Sequence, residues 1–231
     1  MSAAIVFEDD LLEIPANVGT FDAFRRWVHS PRFPERGRID FVANKIEIDM
    51  SPENLFHHGE LNSEIHSVLY SLAKREQWGH VFVDRARISN PKARLSAEPD
   101  VTAVSFEAIE TGRVHLLPAA KSSKKPGQFI EMEGSPDLVV EVVSEGSRKK
   151  DTLRLPSRYF RAGIREFWLA DALQEELRFE IFRRGRSDWV RTKPDAEGFR
   201  RSEVFQAGFR LTGCPSRAGG WRYDLKMKEL S

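Results

Sequence analysis

Apolar positions along the chain follow two periods, one near 3.6 residues and one of two. Between residues 55 and 78, Leu61, Ile65, Val68, Leu69 and Leu72 recur at helical spacing. That spacing predicts an amphipathic helix with Asn54 as its N-cap and Gly79 as its stop. "TFDAFRRWV" (20–28) reads as a shorter helix capped by Thr20. Over residues 38–50 the period shortens: Ile46, Ile48 and Met50 alternate with Glu47 and Asp49, a hairpin turning at Ala43-Asn44. Strands are expected at 80–88, 100–105, 137–143 and 165–171. Residues 153–162 read as a helix closed by Gly163, with Pro156 tolerable only in the first turn, where backbone N–H groups lack partners anyway. "LRFEIFRRG", "DWVRT" and "SEVFQAGFRL" then suggest antiparallel strands, with "WRYDLKMKEL" as a tail and loops at "HSPRFPERG" and "KSSKKPGQ". Helix, strands, helix, strands is an α+β pattern around a mixed sheet. The expected organisation is an N-terminal extension with a short helix (1–34) followed by one domain (35–231).

Composition narrows the classes. With 231 residues, 40% apolar and 31% charged, the chain can bury a core. Thirty-six basic residues against 35 acidic ones give +1, so only local clusters can speak for or against nucleic acid. A single cysteine, Cys214, rules out an intrachain disulfide and a cysteine-rich zinc site. "MSAAIVFEDDLLEIP" carries acids where a signal peptide needs basic residues, and no apolar run approaches the ~20 residues of a membrane span. A cytoplasmic protein is expected.

One charge breaks the apolar pattern. In "SPDLVVEVVSEGSRKKD" (135–151), Glu141 sits inside Val139-Val140-Glu141-Val142-Val143. An unpaired carboxylate there costs several kcal/mol, so it needs a cation, a metal or a proton. Asp137 lies four residues earlier on the same strand face, yet at ~3.3 Å per residue it is roughly 13 Å away. Ligands of one divalent cation must each come within ~2.0–2.6 Å of it, so this pair cannot easily share an ion. Asp100, in "EPDVTAVS", could share one from a neighbouring strand. The plain alternative is a core arginine paired with Glu141.

Other candidates are weaker. His57 and His58 are adjacent, face different sides of the helix and cannot be a paired metal site; His58 shares its face with Leu61 and Ile65. Ser144 lacks the Gly-x-Ser-x-Gly setting of a nucleophile. Arg148, Lys149, Lys150, Arg154, Arg158, Arg161 and Arg165 follow Glu141 closely, either as a solvated helix face or as a phosphate-contacting surface. No helix-turn-helix or zinc-finger pattern accompanies them.

The block "SPDLVVEVVSEGSRKKDTLRLPSRYFRAGIREFWLAD" (135–171) resembles the signature of the Uma-two-type restriction endonuclease family, within the PD-(D/E)XK nuclease superfamily. "EPDVTAVS" is similar to the family's earlier Pro-Asp strand, and "MSPENLFHHGELNSEIHSVLYSL" to its Ser-Pro…His helix. The resemblance implies a restriction-endonuclease-like mixed β-sheet flanked by helices, with additional antiparallel strands. It implies a DNA endonuclease in which Asp100 and Glu141 hold Mg²⁺ or Mn²⁺, Asp40 matches the upstream acid and His58 the helix histidine. DNA is the implied partner, with Arg148, Lys149, Arg154 and Arg158 as phosphate contacts, and a homodimer the implied assembly. Two positions depart from the pattern: Val143 stands where the motif's Lys would follow Glu141, and Leu155 where family members place a lysine four residues after the match to Asp151. Lys150, Lys149 or Arg154 could substitute, with Lys150 preferred because an arginine holds its proton too tightly to serve as a base. A relative that keeps the fold and only binds is the alternative, and a hydrolase of another phosphoester is a third reading.

Overall fold

The computed structural model of the protein describes residues 3–7, 10–34, 37–118 and 127–230. Strands β1 (Ala3–Phe7) and β2 (Asp10–Ile14) pair antiparallel with each other. Helix α1 (Phe21–Val28) starts at Thr20, whose hydroxyl accepts the Ala23 amide. Strands β3 (Arg38–Val42) and β4 (Lys45–Asp49) form the expected hairpin. Its turn residues Ala43 and Asn44 both have positive φ, +54° and +65°, as a two-residue turn matched to strand twist requires.

A wide π-helical turn, Leu55–Glu60, leads into α2 (Leu61–Arg75). The helix ends at Glu76, not Gly79, because Gln77 turns left-handed at φ +49°. Gly79 instead opens β5 (Gly79–Val83), where a Cβ would lie 2.2 Å from the Val104 carbonyl oxygen, so glycine is needed for close approach. The single strand expected at 80–88 is two: Asp84 and Arg85 both adopt positive φ and divert the chain into β6 (Arg87–Asn90) in another sheet. There follow β7 (Leu95–Ala97), β8 (Val101–Ser105), the short α3 (Phe106–Glu110), β9 (Val114–Pro118), β10 (Phe129–Gly134) and β11 (Leu138–Val142). Most of "KSSKKPGQ" lies outside the described residues.

A second π-turn, Lys150–Arg154, leads into α4 (Leu155–Ala162), with Pro156 in its first turn and Gly163 as a left-handed cap at φ +86°. Strands β12 (Glu166–Asp171), β13 (Arg178–Arg184), β14 (Trp189–Arg191), β15 (Arg200–Ser202), β16 (Ala207–Pro215) and β17 (Trp221–Glu229) complete the chain. The expected tail is therefore a strand, fully paired with β16, and Cys214 lies in that ladder opposite Arg222.

Two six-stranded mixed sheets dominate. One has the order β4-β3-β7-β6-β10-β9, parallel only at β6–β10; the other is β14-β13-β12-β11-β8-β5, parallel only at β11–β12. A three-stranded sheet, β15-β16-β17, packs beyond the second. One apolar core joins α2, β8, β11 and the three-stranded sheet through Ile65, Leu69, Val140, Trp168 and Phe209. A second lies between the two large sheets and α4, through Leu95, Val139, Leu155, Tyr159 and Phe167. A third seats α1 on β3 through Phe24, Trp27, Ile39 and Phe41. Among the described residues, no helix is long and apolar enough to cross a membrane.

Candidate active site

Strand alternation decides which side chains meet. In β11, Leu138, Val140 and Val142 enter the core beneath α2, while Val139 and Val143 enter the core between the sheets. Glu141, in step with Val139 and Val143, takes the second face. In β8, Val101 and Ala103 point to α2 and Val104 the other way, so Asp100 shares the face of Glu141. Across the gap, Ile39 and Phe41 pack on α1, which turns Arg38 and Asp40 toward both acids. The β11–β8 register runs Leu138↔Ala103, Val139↔Thr102, Val140↔Val101. One step further sets Glu141 across from Asp100, and directly opposed antiparallel residues have Cβ atoms ~4.5–5.5 Å apart.

Two loops complete the cluster. Asn54 accepts the Phe56 and His57 amides and starts the π-turn that carries His58. The second π-turn carries Lys150 and Asp151; Ser147 donates to Asp151 and is itself 2.7 Å from the Ser144 hydroxyl. Asp100 Oδ1 lies 2.9 Å from an Arg38 guanidinium nitrogen and 3.4 Å from His58 Nε2, while its Oδ2 accepts the Val142 amide at 2.7 Å. Lys150 Nζ is 3.1 Å from Asp40 Oδ2, and Asp40 Oδ1 accepts the Glu98 amide at 3.1 Å. The Tyr159 hydroxyl donates to Glu141 Oε1. Asp100 and Glu141 are each only 1% exposed.

The charges do not balance. Asp40, Asp100, Glu141 and Asp151 face two fixed cations, Arg38 and Lys150, plus His58. Burial opposes ionisation of Asp100, yet Arg38, His58 and the Val142 amide hold its carboxyl well below the usual range. Burial, then Asp100 and Asp151, push Glu141 well above its ordinary value. Burial and Asp100 raise Asp151 to about 7. Burial alone would discharge Lys150, but Asp40, Glu141 and Asp151 raise it above its ordinary value and keep it protonated. His58 likewise rises, because Asp100 and Glu53 outweigh the effect of burial.

That acid excess suits a hard divalent cation. Carboxylate oxygens are the donors Mg²⁺ and Mn²⁺ prefer, and Oδ1 of Asp151 is buried without a hydrogen-bond partner. Among the described residues no three His, Cys, Asp or Glu side chains form a ready cage. Mg²⁺ needs none, since it takes one or two carboxylates and completes its shell with waters and substrate oxygens. A cleft of about 440 Å³, walled by Arg38, His58, Asp84, Glu98 and Ser144, gives access.

The sequence profile of the Uma2 family, described as "Putative restriction endonuclease", matches residues 21–213. The chain belongs to the Uma2 family. Among solved structures, one described as a "putative nuclease", from Anabaena variabilis ATCC 29413, is similar with a TM-score of 0.56 over 80% of this chain and 90% of that one. At 19% identity this is a likeness of fold, and it is that of a restriction-endonuclease-like α+β protein. Comparison with curated proteins found no match.

Set on this Uma2 chain, the positions expected from sequence divide into two groups. Asp40, His58, Asp100, Glu141 and Lys150 converge, as described above. Asp137 stands apart: it accepts the Ser105 amide at 2.8 Å and pairs with Arg113 and Arg165. Of the basic residues read as phosphate contacts, Arg148 pairs with Asp171 at 3.0 Å, Arg154 with Glu47 at 2.7 Å, and Arg158 donates to the Ala93 carbonyl at 3.3 Å. Lys149 is exposed and has no such partner among the described residues. Leu155, at the family's lysine position, is buried in the core between the sheets. Sequence reasoning missed Arg38, Asp151 and Tyr159. Arg38 carried a signal, since it lies two residues before Asp40 on the same strand face, and Tyr159 stands one helical turn after Leu155.

Proposed function

We propose that the protein is a metal-dependent DNA endonuclease in which Asp100 and Glu141 hold Mg²⁺ or Mn²⁺ and Lys150 assists. The observation that carries this reading is the pair of buried acids on neighbouring strands, with a buried lysine held on Asp40 and with Arg38 and His58, the partners of Asp100, lining an open cleft. Membership of the Uma2 family supports it. When bound, the ion supplies Lewis-acid polarisation of a phosphate and an acidified water. The chain's own residues do the rest. Asp40 holds the Lys150 ammonium, which contributes positive charge to the attacked phosphate and orients the water rather than taking its proton. Tyr159 fixes one oxygen of Glu141. Arg38 and His58 hold Asp100 ionised. In this reading residues 35–231 form the catalytic unit, braced by α1.

A second reading, a relative that binds without cutting, draws on Leu155 and on the Arg38 clamp over Asp100, which occupies an oxygen an ion would use. Incubation with supercoiled, linear and single-stranded DNA in Mg²⁺ or Mn²⁺ separates the readings. Cleavage lost in both Asp100→Ala and Glu141→Ala supports the endonuclease. Binding without cleavage under every condition supports the second reading.

A further inference from the structure

The β16–β17 hairpin ends beside the cleft. Its tip, residues 216–220, closes through the Ser216 amide to the Gly220 carbonyl and folds over the π-turn that carries His58. The Phe56 ring packs so tightly on Gly220 that a Cβ there would come within 2.4 Å of it. The Trp221 ring lies 6.3 Å from the His57 ring, and His57 Nδ1 is 3.1 Å from the Tyr223 hydroxyl. Despite these contacts, the rings stay open to solvent: Phe56 and Trp221 are each 38% exposed, and neighbouring Leu55 is 79% exposed. A second cleft of about 400 Å³, lined by Asn54, His57, Glu145 and Gly146, runs from His57, beside Trp221, to the first cleft, with which it shares His58 and Ser144.

Charge completes the picture. Arg217, in the tip that precedes Trp221, is exposed and makes no ion pair or hydrogen bond with the described residues, whereas strand alternation points Arg222 to the other face of β17. The arginines after Glu141 are by contrast largely tied to acids and carbonyls. The tip also lies beyond residue 213, where the family match ends.

We propose that Phe56 and Trp221, with Arg217 in the adjoining tip, form a platform on which an unpaired DNA strand stacks as it enters the cleft. Exposed aromatic faces accept any base, and free guanidiniums follow the backbone, which is how proteins hold single strands without reading sequence. A duplex keeps its bases stacked on each other and offers the rings nothing. This inference rests on the nuclease reading and names its substrate class: DNA with a single-stranded segment at the cutting site.

Binding in EDTA tests the platform apart from catalysis. A fluorescent 20-nucleotide single strand and the blunt duplex of the same sequence are titrated at one salt concentration. The wild type should prefer the single strand. Trp221→Ala should weaken single-strand binding about tenfold, within the span of one lost stacking contact, and leave duplex binding unchanged. Arg217→Glu, an exposed change that does not touch the core, should weaken the single strand as well. Equal binding by wild type and Trp221→Ala, preference for the duplex, or no DNA binding would each overturn the proposal. Failure of cleavage in Mg²⁺ with single-strand binding intact would instead remove the nuclease reading and leave the platform standing.

Discussion

Asp100 and Glu141 face each other from paired strands yet live in different electrostatic surroundings. Asp100 has Arg38, His58 and a backbone amide, so it stays ionised; Glu141 has one hydroxyl and two neighbouring acids, so burial lifts it. Lys150 offsets that repulsion from 3.1 Å off Asp40. Removing one partner of such a buried pair costs roughly 3–5 kcal/mol, because the other charge stays buried. Lys150→Met should therefore destabilise by that order in urea unfolding. The double variant Lys150→Met/Asp40→Asn should cost clearly less than the sum of the singles, since the two share one interaction. Additive costs would mean that the pair is not coupled. Lys150→Arg should keep the fold but lower cleavage by about 10²-fold, the scale of a positioning group displaced by ~1 Å, read from single-turnover rates.

The elements that deliver these residues are the two π-turns and the strands between the large cores. Each π-turn sits at the entry to a helix: one supplies His58, the other Lys150 and Asp151. Leu155 then fills the core between the sheets, so the basic group enters five residues before the family's position. Gly163 fixes where α4 stops: its φ of +86° is left-handed, and a Cβ would meet Ser135 Oγ at 2.9 Å. Gly163→Ala should cost about 1–2 kcal/mol. In a chain of this size the melting temperature should fall by about 2–4 °C per kcal/mol, and an unchanged melt would show that the cap is not strained. Much of this level was legible in the sequence. Helices α1, α2 and α4, the 43–44 turn and the β11 strand follow from periodicity and turn chemistry, while the short α3 was not foreseen. The split between β5 and β6 was not, because nothing marks Asp84 and Arg85 as left-handed except the sheets they separate. Strand β17 could have been found: Tyr223, Leu225 and Met227 alternate with Arg222, Asp224 and Lys226.

At the scale of the molecule, two mixed sheets meet face to face, and the apolar layer between them gives way to charge where β3, β8 and β11 come together. The oddity of Glu141 within an apolar strand pointed there from sequence alone. The groups around it did not, since Tyr159 on α4 reaches Glu141, and Arg38 on β3 reaches Asp100, only once both sheets and α4 have packed. The central claim is that this charged end of the interlayer holds one hard cation. Titration calorimetry with Mn²⁺ tests it without any knowledge of the DNA target. The wild type should bind one ion per chain, and the binding should disappear in both Asp100→Asn and Glu141→Gln, with each variant shown to be folded by circular dichroism. No binding by the folded wild type, or binding that survives both substitutions, would contradict the account.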